Sequence, residues 1–147
     1  MHIWVDADAC PVVVREIIYK ASQRTLVPVT MVANQHIPVP PNQHINSLRV
    51  SSGFDVADDE IVVRCQPGDL VVTNDIPLAA EVIEKNVAAI SFKGNAYEKD
   101  TIKATLTMRD FMDTIRASGE HTGGPKAFSA KDKMNFANQL DRWLASS

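Results

Sequence analysis

This chain of 147 residues is short of several things. It has no run of about 18 apolar residues, so no membrane-crossing helix is expected. Its first residues lack the basic-then-apolar layout of a signal peptide. Its two cysteines, Cys10 and Cys65, stand far apart with no Cys-x-x-Cys pair. Neither a disulfide framework nor a zinc ribbon fits that pattern. His2, His36, His44 and His121 show no His-Glu-x-x-His or His/Cys spacing. They read as surface or loop histidines, not zinc ligands. There is no internal repeat and no low-complexity stretch. The expectation is a cytoplasmic protein with no membrane partner, folded as one domain over residues 1–147.

A strong charge of one sign is also lacking. The net charge is −3, with hydrophobic residues at 45% and charged residues at 22%, which suits a globular core. The distribution is uneven. Residues 1–98 carry 12 acidic and 7 basic groups, whereas residues 99–147 carry 6 acidic and 8 basic ones. This is no strong nucleic-acid footprint. It is compatible with an acidic site beside a basic arm.

What is present is a recurrence of β-branched runs: "IWVDA" at 3–7, "VPVTMVA" at 27–33, "LRVSS" at 48–52, "LVVTN" at 70–74 and "AAISF" at 88–92. Near-continuous apolar strands suit a parallel sheet covered on both faces. Helical patterns lie between most of them. "PVVVREIIYKASQRT" spaces Val14, Ile17, Ile18 and Ala21 three to four apart and opens with Pro11, suited to a first helical position. "AEVIEKN" follows Pro77 in the same manner. The alternation predicts an α/β fold with right-handed crossovers. "QHIPVPPNQH" must be a loop. Beyond residue 97 the pattern turns helical. "EKDTIKATLTMRDFMDTIRASG" ends at Gly119, "HTGGPKAF" is a loop, and a last helix opens at Ser129 and Asp132 with Phe136, Leu140, Trp143 and Leu144 as its apolar stripe.

In open α/β sheets, ligands bind beyond the carboxyl ends of the strands. The residues expected there are Asp6 and Asp8, then Asn34 and Gln35, then Ser51, Ser52 and Gly53, then Thr73, Asn74 and Asp75, then Ser91 with Lys93 just past it. Asp58 in "GFDVADDEIV" joins them near the start of a predicted helix. Each acid has a plain structural reading. Asp58 and Asp59 suit a helix N-terminus, Asp75 suits an N-cap before Pro77, and Asp8 suits a cap for the helix after Pro11. Asp6 interrupts a buried strand, where a charge needs a partner. Asp6 and Asp8 would point the same way on an extended strand, and a bound cation is one way to offset their repulsion. A metal site, a nucleophile with its partner, and caps all remain open at this point. Cys10 has no histidine partner in view and reads as a small buried side chain. "TGGP" at 122–125 reads as a turn or a phosphate cradle. Arg109 and Arg116 share a helix face and would bind phosphate or pair with Asp110 and Asp113.

"IWVDADACP", "VANQ", "GFDVADDEIV", "GDLVVTNDIPLA", "RDFMDTIRASG" and "TGGPKAFSAKD" together resemble the YaiI/YqxD family of uncharacterised bacterial proteins, nearly end to end. That family is similar to the PIN-like domain superfamily, whose better-known members are Mg²⁺- or Mn²⁺-dependent ribonucleases with clustered acids. The resemblance implies a three-layer α/β/α PIN-like domain with a mainly parallel sheet and a helical C-terminal part. It implies hydrolysis of phosphodiester bonds, with RNA as a partner. Asp6 would be the first-strand acid, Asp58 (or Asp59) the mid-chain acid and Asp75 the later one. Asp8 stands where such nucleases commonly carry a hydroxyl residue.

On that reading Asp6, Asp8, Asp58 and Asp75 supply metal oxygens and form the catalytic set. Asn34, Thr73 and Asn74 orient the carboxylates, and Lys93, Arg109 or Arg116 holds phosphate. The product would carry a 5′-phosphate. A rival reading is a haloacid-dehalogenase-like phosphatase with Asp6 as nucleophile, Asp8 as acid/base, and Thr73 with Lys85 or Lys93 in support. A third is a PIN-like module that binds RNA or a protein without turnover.

Overall fold

The computed structural model describes residues 1–53, 56–102, 104 and 128–146. Its centre is a five-stranded sheet of β1 (Ile3–Asp6), β2 (Val29–Ala33), β3 (Ile45–Arg49), β4 (Leu70–Val72) and β5 (Ala88–Ile90). The strand order is β3-β2-β1-β4-β5, and every pairing is parallel. Parallel neighbours need crossovers. Helices α1 (Val12–Thr25), α2 (Val56–Arg64) and α3 (Ile76–Glu84) provide three of them, and α4 (Ala130–Ala145) follows later.

Successive strand residues face opposite sides, and the core divides accordingly. Ile3, Val5, Val29, Met31, Leu70, Val72 and Ile90 face Val14 and Ile18 of α1 and Phe136 and Leu140 of α4. Trp4, Val32, Val71 and Ala89 face Ile61 of α2 and Leu78, Val82 and Ile83 of α3. The fold is therefore a three-layer α/β/α arrangement, as expected from the apolar strands. No helix among the described residues is long and apolar enough to cross a membrane.

The local boundaries follow from hydrogen bonding more than from hydropathy. The third strand runs over 45–49, not 48–52, because β2 pairs its five residues with Ile45 through Arg49. Ser51, Ser52 and Gly53 lie in the bend beyond it. Pro11 is the N-cap of α1, not its first helical residue. It stays extended at ψ 146° and its carbonyl accepts the Arg15 N–H at 3.1 Å. The helix around Pro77 starts earlier than "AEVIEKN", at Ile76, because Asp75 caps it. The expected loop over 35–44 carries no helix or strand.

The last helix opens as its sequence predicts. Ser129 Oγ accepts the Asp132 N–H at 3.1 Å, and Asp132 Oδ2 accepts the Ser129 N–H at 3.0 Å. This reciprocal pair satisfies two orphan donors of the first turn. The expected helix up to Gly119 lies largely outside the described residues.

Helix α4 lies directly on the turn that follows β5. Gly94 takes φ +86°, and a Cβ added there would stand 2.4 Å from the carbonyl carbon of Asn135. Both the left-handed backbone and the backbone contact demand glycine. Gly94→Ala is expected to lower unfolding stability in urea by about 2 kcal/mol or more, from strain plus overpacking. A loss within about 0.5 kcal/mol, the range of an ordinary surface change, would show that α4 does not dock so closely.

Candidate functional site

From β1 the chain winds outward through β2 and β3, then returns to build β4 and β5 on the other side of β1. The loops leaving β1 and β4 therefore part in opposite directions. The space between them, beyond the carboxyl ends, is the usual ligand position in such sheets. Asp6 is the last residue of β1, and Thr73 is the first residue beyond β4.

Thr73 is fully buried and joins the two sides. Its hydroxyl donates to Asp6 Oδ2 at 2.8 Å and accepts the Asp75 N–H at 2.9 Å. Its carbonyl oxygen accepts the Tyr97 hydroxyl at 3.2 Å. Asp75 has an extended backbone and caps α3, with Oδ1 accepting the Leu78 N–H at 3.1 Å. The cap reading of Asp75 holds, and it leaves the second carboxyl oxygen for other work.

Asp8 behaves differently from either expectation. The strand ends at Asp6, so Asp8 sits in a short 3-10 turn over Ala7–Ala9 and not on the strand. Nor does it cap α1. Its Oδ2 accepts the Asn34 N–H at 2.9 Å, beyond the end of β2. Its Oδ1 is buried, with no hydrogen-bond partner among the described residues. Asn34 thus orients a carboxylate through its main chain. Asn74 acts one step away, with its side-chain oxygen accepting the Phe92 N–H at 2.8 Å and tying the β4 and β5 loops together.

The charges act on one another. Burial pushes the Asp6 carboxyl up from its ordinary value, the Thr73 hydrogen bond partly opposes this, and the charges of Asp75 and Asp8 push it further up. Burial, with the charge of Asp75 added, pushes the Tyr97 phenol up to about 12. The Cys10 thiol is likewise pushed up to about 12, first by burial. It stays protonated at neutral pH, which removes it as a nucleophile and bears out the buried-side-chain reading.

Asp58 and Asp59 lie in the first turn of α2, whose N-terminus follows β3 and so points to the same edge of the sheet. Gln35, Ser51 and Ser52 are exposed, and Ser91 Oγ accepts the Asn95 N–H at 3.0 Å. Lys93 follows β5 and lies within electrostatic reach of Asp132 at the start of α4. Lys85 is at the other end of α3, donating to the carbonyls of Val62 and Cys65. Arg109, Arg116, His121 and the TGGP turn lie outside the described residues. His2 stacks on Trp4 and shares a hydrogen bond with Thr30, so it is structural.

Two residues near this edge were not among the expected ones. Tyr97 reaches Thr73 because the turn at Lys93 and Gly94 folds Ala96 back antiparallel to Ile90, a contact with no sequence signature. Arg15 had a signal that went unused. A cation one turn into a helix that follows an acidic strand end leans back over that strand end.

Among the described residues, no three His, Cys, Asp or Glu side chains are gathered so as to hold a metal ion by themselves. Mg²⁺ does not require three. It commonly takes one or two carboxylates and keeps several waters. The carboxyl oxygens of Asp6, the like charges of Asp75 and Asp8 acting on it, and the buried Asp8 oxygen without a partner among the described residues fit such an ion.

The molecule is thus an α/β/α protein with acidic residues at its topological switch point. The chain belongs to the YaiI/YqxD family, described as an uncharacterised bacterial family, whose model matches residues 4–146. A UPF0178 protein of Pectobacterium carotovorum is 62% identical over 144 residues, covering 98% of this chain and 96% of its own length. UPF0178 proteins of Colwellia psychrerythraea and Hahella chejuensis are 60% and 57% identical, covering 97% and 100% of this chain and 94% and 98% of their own lengths. No solved structure matches significantly.

The raised Asp6 carboxyl has a consequence for stability. The folded protein holds that proton more tightly than the unfolded chain, whose carboxyl titrates near the ordinary 3.8. The stabilisation is complete below that value and is lost as pH rises through the folded value. Asp6→Asn removes the ionisation while keeping an acceptor for Thr73. In chelator-containing buffer, its stability relative to wild type is expected to increase from about pH 4 towards pH 7. Urea unfolding across that range checks it. A constant deficit at every pH would contradict the raised value.

Proposed function

We propose that this protein is a metal-dependent nuclease that hydrolyses phosphodiester bonds, with RNA as its substrate class. The observation that carries the reading is the buried Asp6 carboxyl at the switch point, acted on by the charges of Asp75 and Asp8, with one buried Asp8 oxygen unpartnered among the described residues. The resemblance to PIN-like ribonucleases supplies the reaction class. Asp6 and Asp8 would hold Mg²⁺ or Mn²⁺ directly, Asp75 through its second oxygen or through water, and Asp58 from the start of α2. Such an ion offsets the negative charge of the phosphate and of the transition state.

The side chains have distinct tasks in this account. Thr73 fixes the Asp6 carboxylate, so the group that meets the attacking water is already oriented. Asp75 is locked in place by its capping bond to α3, which keeps one oxygen from wandering. The backbone of Asn34 does the same for Asp8. The phosphatase alternative loses a supporting lysine, because Lys85 is committed to carbonyls at the far end of α3.

A short single-stranded RNA incubated with the protein and millimolar Mg²⁺ or Mn²⁺ is expected to be cut, leaving 5′-phosphate ends. Chelator stops the reaction. Asp6→Asn and Asp75→Asn are each expected to lower the rate about 100-fold or more, the scale for removing one group that stabilises the transition state. Asn is as good an N-cap as Asp, so Asp75→Asn keeps α3 intact. Turnover of phosphate monoesters alone would favour a phosphatase. RNA retained but uncut would favour a binding module.

A further inference from the structure

Arg15 is the fourth residue of α1. Helical side chains lean towards the N-terminus, so Arg15 reaches back over the turn that carries Asp8. Its Nη2 donates to the Ala7 carbonyl at 3.2 Å. The guanidinium lies beside the Cys10 thiol, which also feels the charge of Asp6. Arg15 Nε is buried, with no hydrogen-bond partner among the described residues. None of the ion pairs among those residues includes Arg15. Tyr19, the next group along the helix face, donates its hydroxyl to the Pro38 carbonyl.

Arginine stays charged at any working pH, and a half-buried charge calls for a counter-charge. The carboxylates on either side of its Ala7 contact in the sequence, Asp6 and Asp8, are held by other groups. Asp6 accepts from Thr73 and Asp8 from Asn34. A buried donor on Arg15 and a buried acceptor on Asp8, each without a partner among the described residues, therefore flank one turn. A cation alone would suit Asp8 and repel Arg15. An anion alone would suit Arg15 and be repelled by the aspartates. A cation carrying a phosphate ester suits both.

We propose that Arg15 is a phosphate-binding residue of this site. Its planar fork takes the non-bridging oxygens of a phosphate ester whose counter-ion faces the aspartates. Arg15 is only half-buried, so part of the side chain stays open to a ligand. The assignment rests on the reading of the site as one that handles phosphodiesters. It puts the phosphate contact on α1, where the sequence pointed to Lys93, Arg109 or Arg116.

The test is equilibrium binding of adenosine 5′-monophosphate in millimolar Mg²⁺, with adenosine as the phosphate-free control. Wild type is expected to bind the monophosphate at least about tenfold more tightly than adenosine, and Arg15→Gln to lose about tenfold or more, the worth of one charge-assisted contact. Arg15→Lys recovers part of the loss, because a point charge replaces the fork. The Mg²⁺-induced rise in melting temperature stays intact in Arg15→Gln, which shows that the acidic edge is still formed. Wild-type affinity in Arg15→Gln, or equal binding of nucleoside and nucleotide, overturns the proposal. Should Arg15→Gln fail to fold, Arg15→Lys decides. Severalfold weaker nucleotide binding with an intact Mg²⁺ response supports the role, and unchanged affinity overturns it. RNA left uncut by a wild type that shows Arg15-dependent nucleotide binding removes the nuclease reading and keeps this one. RNA cleavage indifferent to Arg15→Gln does the reverse.

Discussion

The Thr73 hydroxyl is where the two halves of the sheet meet. It donates to the carboxylate that ends β1 and accepts from the backbone of the residue that caps α3. One buried oxygen therefore sets the spacing between Asp6 and Asp75. This arrangement depends on β1 and β4 being neighbours although 63 residues lie between the end of one and the start of the other. Tyr97 clamps the same residue from outside through the Thr73 carbonyl. A hydroxyl can donate once and accept as well, so threonine serves where valine, its isostere, would leave a buried carboxylate and a buried N–H unsatisfied.

The cost of the site is electrostatic. Asp6 is desolvated and faces two like charges, so its ionised form is destabilised in the folded protein. Strand β1 would be more comfortable ending in an apolar residue. That an acid stands there, with a second acid two residues on whose buried oxygen has no partner among the described residues, is the kind of local conflict that marks functional sites. On the proposed reading, a bound cation would resolve it. Among the described residues, the buried polar atoms without a partner are Asp8 Oδ1 and Arg15 Nε, both at the turn beyond β1. At the amino edge the buried Asp69 is satisfied by the Trp4 indole, the Gln66 N–H and the amino terminus.

The layers and the parallel sheet were legible because apolar runs of strand length alternate with helical spacing, and every described strand has its run. The edge that gathers the acids was legible too, since it needs only chain direction and strand ends. Three features were not. The Asp6–Asp8 relation looked like strand parity, but a 3-10 turn intervenes and hands Asp8 to Asn34. The third strand slipped by three residues, because pairing with β2 decides its limits and its own sequence, "INSLR", is only half apolar. Tyr97 was invisible because its approach depends on Gly94 turning under α4.

Membership of the YaiI/YqxD family sets this chain among bacterial proteins that share nearly its whole length. The central claim is that Asp6 is a strained carboxylate whose strain a divalent cation relieves. It is tested most directly by following the Asp6 carboxyl carbon by NMR through a pH titration, with and without Mg²⁺. The account predicts a raised titration point in chelator and a clear fall when Mg²⁺ is added. An ordinary carboxylate value that Mg²⁺ does not move would contradict it.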